Sequence, residues 1–202
     1  MPFVVFTGGA RSGKSSAAQS LAEELQARGR RVTVAVFADG SADEEMADRI
    51  ERHRSSRPRG FAVLEVSGGH DWMKDVPKED VLLVDCLGSW LSVVMAETWT
   101  ALMGTPPGDV ASETPAGYRT AVEEAGHGIV RALLGRPGDT IVVTNEVGDG
   151  VVPEHASARL FRDTLGRMNR AVTAQADAAY LCVAGRLLEL STLAERARWP
   201  ED

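Results

Sequence analysis

Residues 3–15 read FVVFTGGARSGKS, and they carry the strongest structural signal in the chain. Its first half is a short apolar run, which is typical of a strand buried on both faces of a sheet. Its second half, from Gly8 to Ser15, fits the pattern G-x-x-x-x-G-K-[ST], in which a glycine-rich backbone wraps around phosphate groups directly before a helix. A strand, a phosphate-binding loop and a helix in that order predict a P-loop nucleotide-binding domain.

Each residue type in this loop has its own task. Glycines let successive N–H groups point at phosphate oxygens, and the helix N-terminus adds a positive potential. Lys14 reaches the β and γ phosphates, and Ser15 can ligate Mg²⁺. Lysine is rare here, since only three of the 22 Lys and Arg residues are lysines, so its presence in the loop is no accident of composition. The predicted nucleotide-binding residues of the loop are Gly8, Gly9, Ala10, Arg11, Ser12, Gly13, Lys14 and Ser15.

Apolar runs and helical patterns alternate along the rest of the chain. The predicted strands cover residues 3–6, 32–37, 62–66, 81–84, 140–143 and 178–183. The predicted helices cover residues 14–28, 43–54, 87–99, 118–134 and 157–175. This alternation predicts a three-layer α/β, RecA-like P-loop fold with a mainly parallel central sheet, formed by residues 1–202 as one domain. Residues 103–117, rich in Pro and Gly, are predicted to form an exposed, mobile loop, either an inert connection or a flap or subunit contact.

The run VLLVD at residues 81–85 is an apolar strand that ends in a carboxylate. In P-loop proteins such a strand carries its aspartate to the sheet edge beside the phosphate loop, where it holds Mg²⁺ or the waters around it. We therefore predict that Ser15 and Asp85 form the metal site.

Composition narrows the class of partner. The chain has 202 residues, 44% of them hydrophobic, and a formal net charge of -7. This charge argues against nucleic acid as the partner, because phosphate backbones select for clustered Lys and Arg. The first residues lack the features of a signal peptide and no segment is long and apolar enough for membrane insertion. Cys86 and Cys182 lie in apolar runs and are predicted to be buried strand residues of a cytoplasmic protein.

Residues 43–54 predict a helix with acids in its first turn and bases in its last. Met46, Ile50 and His53 lie on one side of it, so His53 is either a core-edge residue or a reactive group. Arginines 49, 52, 54, 57 and 59 surround it, as a solvated face or as partners for polyphosphate. At residues 144–146 a strand ends in TNE, and Glu146 is either a structural partner of the arginines or a catalytic or metal-adjacent group. His70, His127 and His155 lack metal-ligand spacing and are predicted to be ordinary histidines.

Five motifs in this order resemble one family. They are GGARSGKS at 8–15, RI-x-x-HR-x-x-RP at 49–58, VDCLGSWLS at 84–92, TNEVGDGVVPE at 144–154 and RLFRDTLGRMNRAVTAQAD at 159–177. The set is similar to the bifunctional adenosylcobinamide kinases and adenosylcobinamide-phosphate guanylyltransferases of cobalamin biosynthesis.

The resemblance implies two reactions at one nucleotide site. A nucleoside triphosphate, GTP or ATP, phosphorylates adenosylcobinamide, and His53 then takes GMP from GTP and passes it to adenosylcobinamide phosphate. The product is adenosylcobinamide-GDP. The resemblance also implies a homotrimer and Mg²⁺, and it extends the nucleotide site to Phe37, Ala38, Asp39, Arg54, Ser55, Ser56, Arg57, Glu65 and Asp85.

Two other functions are compatible with the P-loop. A kinase of another small metabolite would transfer the γ-phosphate, and its His53 would be structural. A nucleotide-dependent regulatory module would bind nucleotide tightly with negligible turnover. The N-K-x-D motif of signalling GTPases is missing from the sequence, and the histidine motif is present, so both observations disfavour the regulatory module.

Overall fold

A computed structural model describes residues 1–37, 60–69, 71–105, 114–194 and 196. Within them lies a seven-stranded sheet in the order β3-β2-β4-β5-β1-β6-β7. Six strands run parallel, and β7 pairs antiparallel with β6 as the sheet's last strand. The strands are β1 (Phe3–Gly8), β2 (Val32–Phe37), β3 (Ala62–Val66), β4 (Val81–Asp85), β5 (Thr140–Val143), β6 (Ala178–Val183) and β7 (Arg186–Glu189). The predicted helix at 43–54 lies outside the described residues.

The described helices follow from sequence signals at their ends. They are α1 (Lys14–Ala27), α2 (Leu87–Met103), α3 (Tyr118–Gly135) and α4 (Ala156–Thr173), with a short 3₁₀ helix at Asp71–Asp75. Gly104 and Gly117 flank the connection from α2 to α3 with positive φ angles of 71° and 79°, which residues other than glycine rarely adopt. No helix in these described ranges is long and apolar enough to cross a membrane.

Helices cover both faces of the sheet, as the alternation predicts. Alternate residues of each strand point to opposite faces, and in β4 this separates Leu83 from Leu82 and Val84. Leu83 packs in the cluster formed with α1, whereas Leu82 and Val84 pack in the larger cluster formed with α2, α3 and α4. The three-layer α/β architecture and the mainly parallel sheet are thus confirmed.

The strand order brings the predicted site together. All parallel strands end at the same edge, and β5 lies between β1 and β4. The loop after β1 and the carboxylate that ends β4 therefore leave the sheet two strands apart at one edge. Such an edge, where neighbouring strands continue in different directions, is the usual ligand-binding position in α/β sheets.

Ion pairs connect the strands at the opposite edge of the sheet, where the parallel strands begin. Arg30 contacts Asp139 at 2.7 Å and Arg31 contacts Asp80 at 2.8 Å. Arg136 donates to the carbonyl oxygen of Asp80 at 3.0 Å, and burial lowers the pKa of its guanidinium. These contacts lie far from the phosphate loop along the strands and hold the amino ends of β2, β4 and β5 together.

The structure corrects three details. Helix α2 continues to Met103, so the first residue of the predicted 103–117 loop is helical, and residues 106–113 lie outside the described ranges. Strand β7 was not predicted. Cys86 is not a buried strand residue, because it follows the end of β4 and is only partly buried, whereas Cys182 is buried in β6 as expected.

Candidate nucleotide site

The phosphate-binding loop is held in place by the turn between β6 and β7. Gly8 has a φ of 152°, and a Cβ there would lie 2.5 Å from the carbonyl oxygen of Cys182 and 2.8 Å from Ser12 Oγ. The N–H of Gly185 donates to the carbonyl oxygen of Ser12 at 2.9 Å. Gly13 has a φ of 97° and packs against Gly185. Glycine is required at these points because the backbone lies too close to leave room for a side chain.

Lys14 is nearly buried, at 6% exposure, and its Nζ donates to the carbonyl oxygen of Gly9 at 3.0 Å. The ammonium group therefore lies over the loop that it follows. Its charge also lowers the pKa of Cys182, although burial has the larger effect and raises that pKa overall. A buried ammonium group beside exposed N–H groups favours an anionic ligand.

Ser15 and Asp85 come together although they lie far apart in the chain. Ser15 Oγ donates to Oδ1 of Asp85 at 3.2 Å. Ser15 lies in the first turn of α1 and Asp85 is the last residue of β4. A hydroxyl oxygen and a carboxylate oxygen are ligands that Mg²⁺ prefers, so these two residues fit the predicted metal.

Glu65 lies on the same row of the sheet as Asp85. Val36 of β2 pairs with Glu65 on one side and with Asp85 on the other. Paired residues of neighbouring strands point to the same face, and two strand spacings separate the backbones of the two acids by about 10 Å. Both carboxylates are therefore on the α1 side, and Glu65 is exposed.

Ser12 has a hydroxyl without a partner in the part of the chain that the structure describes. Its side chain is buried, at 9% exposure, and Ser12 Oγ makes no hydrogen bond there. Buried hydroxyl groups are normally paired. Inside a phosphate-binding loop, a phosphate oxygen is the natural acceptor for this donor.

The segment after β5 contacts the loop from the other side. The N–H of Glu146 donates to the carbonyl oxygen of Gly8 at 3.0 Å. The Glu146 carboxylate accepts a hydrogen bond from the N–H of Gly148 at 2.7 Å, so it closes a turn within its own segment. Asn169 of α4 donates to the carbonyl oxygen of Asn145 and so holds this segment. Asn169 lies within the 159–177 motif, but sequence analysis did not identify it as a site residue, because a helical asparagine carries no local signal of the distant strand end that it contacts.

Phe37 uses its ring in the core. The ring stacks on Trp90 at 5.0 Å and meets Trp72 edge-on at 5.6 Å, on the α2 side of the sheet. The ring of Phe37 is therefore part of the core on that side, opposite to the face on which α1 lies. Seven other predicted site residues lie outside the described ranges: Ala38, Asp39, His53, Arg54, Ser55, Ser56 and Arg57.

The remaining histidines occupy ordinary positions where they are described. His127 is exposed on α3, and His155 directly precedes α4. His70 lies outside the described residues.

Comparison with known proteins settles the family. Residues 4–190 match the CobU family, described as cobinamide kinase / cobinamide phosphate guanyltransferase. The chain belongs to this family. It is thus a bifunctional enzyme of cobalamin biosynthesis, a cobinamide kinase and cobinamide-phosphate guanylyltransferase that uses GTP.

Curated relatives match over nearly their whole length. The bifunctional adenosylcobalamin biosynthesis protein CobU of Salmonella typhimurium is 32% identical over 184 residues, which is 90% of this chain and 96% of that protein. The protein of the same description from Escherichia coli is 32% identical over 188 residues, with the same two coverages. CobP of Pseudomonas aeruginosa is 31% identical over 180 residues, covering 88% of this chain and 91% of that protein.

Solved structures also align with the chain. The ATPase domain of G40P has a TM-score of 0.46 at 9% identity, covering 89% of this chain and 68% of that structure. A KaiC-like protein from Pyrococcus horikoshii has a TM-score of 0.41 at 15% identity, covering 89% and 70%.

Proposed function

We propose that this CobU-family enzyme carries GMP on His53 between its two substrates. In the first half-reaction a nitrogen of the His53 imidazole attacks the α-phosphorus of GTP. A P–N bond forms, the bond from the α-phosphorus to the bridging oxygen breaks, and pyrophosphate leaves. In the second half-reaction a phosphate oxygen of adenosylcobinamide phosphate attacks the same phosphorus. The P–N bond breaks, adenosylcobinamide-GDP is released and the imidazole is restored.

The observation that carries this proposal is the 3.2 Å contact of Ser15 with Asp85 directly beside the phosphate loop. This hydroxyl and carboxylate would hold Mg²⁺. When bound, Mg²⁺ neutralises phosphate charge and makes pyrophosphate a better leaving group. Ser15 belongs to α1 and Asp85 to β4, so a helix and a strand hold both proposed metal ligands.

The chain's own groups would bind the phosphates in addition to the metal. The loop N–H groups and Lys14 supply positive charge, and the hydroxyl of Ser12 supplies a donor that has no partner within the described part of the structure. Arg11 projects from a left-handed backbone position, with a φ of 56°, and is exposed. Because its side chain is exposed, we propose that it contacts the outer phosphates of the triphosphate.

Chain connectivity supports a role for the segment that carries His53. Strand β2 ends at Phe37, one residue beyond Val36, which pairs with both Asp85 and Glu65. The chain therefore leaves β2 at the edge where both carboxylates lie, and His53 follows in the connection from β2 to β3. A neutral imidazole is a competent nucleophile near neutral pH because its ordinary pKa is about 6.5.

The kinase reaction would use the same phosphate site. The hydroxyl of the aminopropanol arm of adenosylcobinamide attacks the γ-phosphorus of GTP or ATP, loses its proton, and the nucleoside diphosphate leaves. Lys14 and Ser15 contact the part of the triphosphate that both reactions share. One loop can thus serve phosphoryl and nucleotidyl transfer, and the attacking group decides which phosphorus reacts.

We further propose that the enzyme is a homo-oligomer, namely a trimer. Support comes from β7, a terminal strand of the described sheet, where Leu187 and Leu188 are each 51% exposed and the neighbouring Val183 is 57% exposed. Apolar side chains on an open strand edge favour association with another chain. Light scattering on the purified protein gives the mass, and a monomeric mass would contradict this part of the proposal.

Labelled GTP tests the covalent intermediate. The protein is incubated with Mg²⁺ and GTP labelled at the α or at the γ phosphate, then denatured. We expect the α label to stay on the chain, to be lost in acid and to persist in alkali, and we expect no retained γ label. His53→Ala should abolish retention, whereas His127→Ala, which changes an exposed histidine on α3, should retain as much label as the wild type.

The same experiment separates the alternatives. If neither label is retained and adenosylcobinamide still receives the γ-phosphate, the protein is a kinase without a histidine intermediate. If His53→Ala retains as much α label as His127→Ala does, the assignment of the nucleophile is wrong.

A further inference from the structure

Asn169 is a buried asparagine on α4 that contacts the end of a strand instead of solvent. Its side chain is 7% exposed. The hydroxyl of Thr144 donates to Asn169 Oδ1 at 2.6 Å, and Asn169 Nδ2 donates to the carbonyl oxygen of Asn145 at 2.9 Å. One amide thus holds two consecutive residues at the point where β5 ends.

The next residue connects this point to the phosphate loop. The N–H of Glu146 donates to the carbonyl oxygen of Gly8, which begins the loop. Gly8 has little freedom to move, because its Cα faces the carbonyl oxygen of Cys182 and the hydroxyl of Ser12. A shift of residues 144–146 would therefore displace the loop itself, because closely packed backbone transmits a displacement to its neighbours.

We propose that Asn169 is a positioning residue of the nucleotide site. It fixes the backbone of residues 144–146, and the hydrogen bond from Glu146 to Gly8 passes this constraint to the phosphate-binding loop. The inference rests on the proposed use of that loop to bind GTP. The Asn169 side chain contacts the peptide unit between Asn145 and Glu146, and the N–H of that unit donates to Gly8, so Asn169 acts on affinity through geometry and not by touching the phosphates.

Only an amide supplies both contacts. The Asn169 side chain accepts one hydrogen bond and donates another, and Thr144 is fully buried, so water cannot replace the hydroxyl of Thr144. The substitution Asn169→Asp keeps an acceptor for the Thr144 hydroxyl but places a carboxylate oxygen against the carbonyl oxygen of Asn145. That pair repels, and the end of β5 should move away from α4.

Two variants and one rescue test the inference. Asn169→Asp removes the donor, Thr144→Val removes the hydroxyl but keeps the shape, and Thr144→Ser restores the hydroxyl. The matched control is Thr33→Val. Thr33 is also buried, and its hydroxyl also donates to a side chain, Asp80 at 3.0 Å, but at the opposite edge of the sheet. For each protein the dissociation constant of GTP with Mg²⁺ is measured by calorimetry, and hydrogen exchange of the Glu146 amide is measured without ligand.

We expect Asn169→Asp and Thr144→Val to raise the GTP dissociation constant about 2- to 30-fold and to speed exchange at Glu146. Thr144→Ser should resemble the wild type. Thr33→Val should lower the unfolding temperature but change neither measurement. The inference is wrong if Asn169→Asp and Thr144→Val only lower the unfolding temperature, as the control does. If the wild type binds GTP yet retains no α label, the histidine mechanism fails, while these binding and exchange measurements still decide the role of Asn169.

Discussion

Ser15 Oγ lies 3.2 Å from Oδ1 of Asp85, and this contact joins the first turn of α1 to the end of β4 across 70 positions of sequence. Neither residue alone indicates a metal site, since many helices begin with serine and many strands end in aspartate. Together they place two hard oxygen ligands beside the phosphate-binding loop.

Removing the charge of Asp85 should weaken metal binding at the predicted site without unfolding the protein. Asp85→Asn keeps the size of the side chain but binds a divalent cation less well, so we expect the Mg²⁺ concentration for half-maximal GMP transfer to rise at least 10- to 100-fold. A magnesium titration of transfer measures this. The control is Asp80→Asn, at the opposite edge. Asp80 binds Arg31 and Thr33, so this variant should lower the unfolding temperature and leave the Mg²⁺ requirement unchanged.

Gly8 and Gly9 are neighbours that should respond differently to alanine. A Cβ at Gly8 would collide with the Cys182 carbonyl, whereas a Cβ at Gly9 meets nothing within 4 Å. We expect Gly8→Ala to cost about 1–3 kcal/mol of unfolding free energy and to abolish GTP binding. Gly9→Ala should stay within about 0.5 kcal/mol of the wild type in stability. Urea unfolding compares the two, and equal losses would contradict the described loop geometry.

Two glycines in helices allow the effect of packing on stability to be distinguished from the effect of helix propensity. At Gly126 of α3 a Cβ would lie 3.0 Å from Thr164 and 3.1 Å from Met168 on α4, whereas at Gly166 of α4 it meets nothing within 4 Å. Gly166→Ala should therefore stabilise the protein by about 0.5–1 kcal/mol. Gly126→Ala should destabilise it by about 1–3 kcal/mol through overpacking. Thermal unfolding measures both, and a stabilising Gly126→Ala would show that the side chains of Thr164 and Met168 give way to the added methyl group.

The free energy of unfolding should fall in alkaline solution because two weakly acidic side chains, those of Cys182 and Tyr118, are buried. Burial raises the pKa of the Cys182 thiol above its ordinary 9.0 and that of the Tyr118 hydroxyl above its ordinary 10.0. The unfolded chain then loses these protons at lower pH than the folded chain. The stabilisation is complete below the ordinary pKa values and is lost as pH rises from them through the raised pKa values of the folded state.

Urea unfolding at pH 8 and at pH 10.5 measures this loss. Cys182→Ala together with Tyr118→Phe should make the dependence of the unfolding free energy on pH less steep. Tyr118→Phe also removes a hydrogen bond to the carbonyl oxygen of Met95, so its stability is compared with its own value at pH 8. An unchanged slope in the double variant would assign the alkaline loss to other groups.

Local sequence patterns predicted most of the sheet. Apolar runs predicted β2, β3, β5 and β6 with the bounds that the structure has. Burial on both faces explains the runs of β2 and β5, which are buried almost throughout, whereas β3 is the first strand of the described sheet and is largely exposed. The exception was β7, whose residues are all exposed and share no such run. Its signal was the turn at Ala184 and Gly185, where both φ angles are positive, as in a tight hairpin. This turn was not recognised from sequence because its first residue is alanine, whereas such turns usually begin with Asn, Asp or Gly.

The phosphate loop, the alternation of strands and helices, the family and the pairing of Ser15 with Asp85 followed from sequence, because each is carried by short motifs of contiguous residues. Other relationships between distant groups came from the tertiary structure. The row that aligns Glu65 with Asp85 and the support that Asn169 gives to Gly8 depend on strand order and register, as does the distance between Ser15 and Asp85. Those are fixed by the packing of whole elements on a shared core, so no local pattern records them.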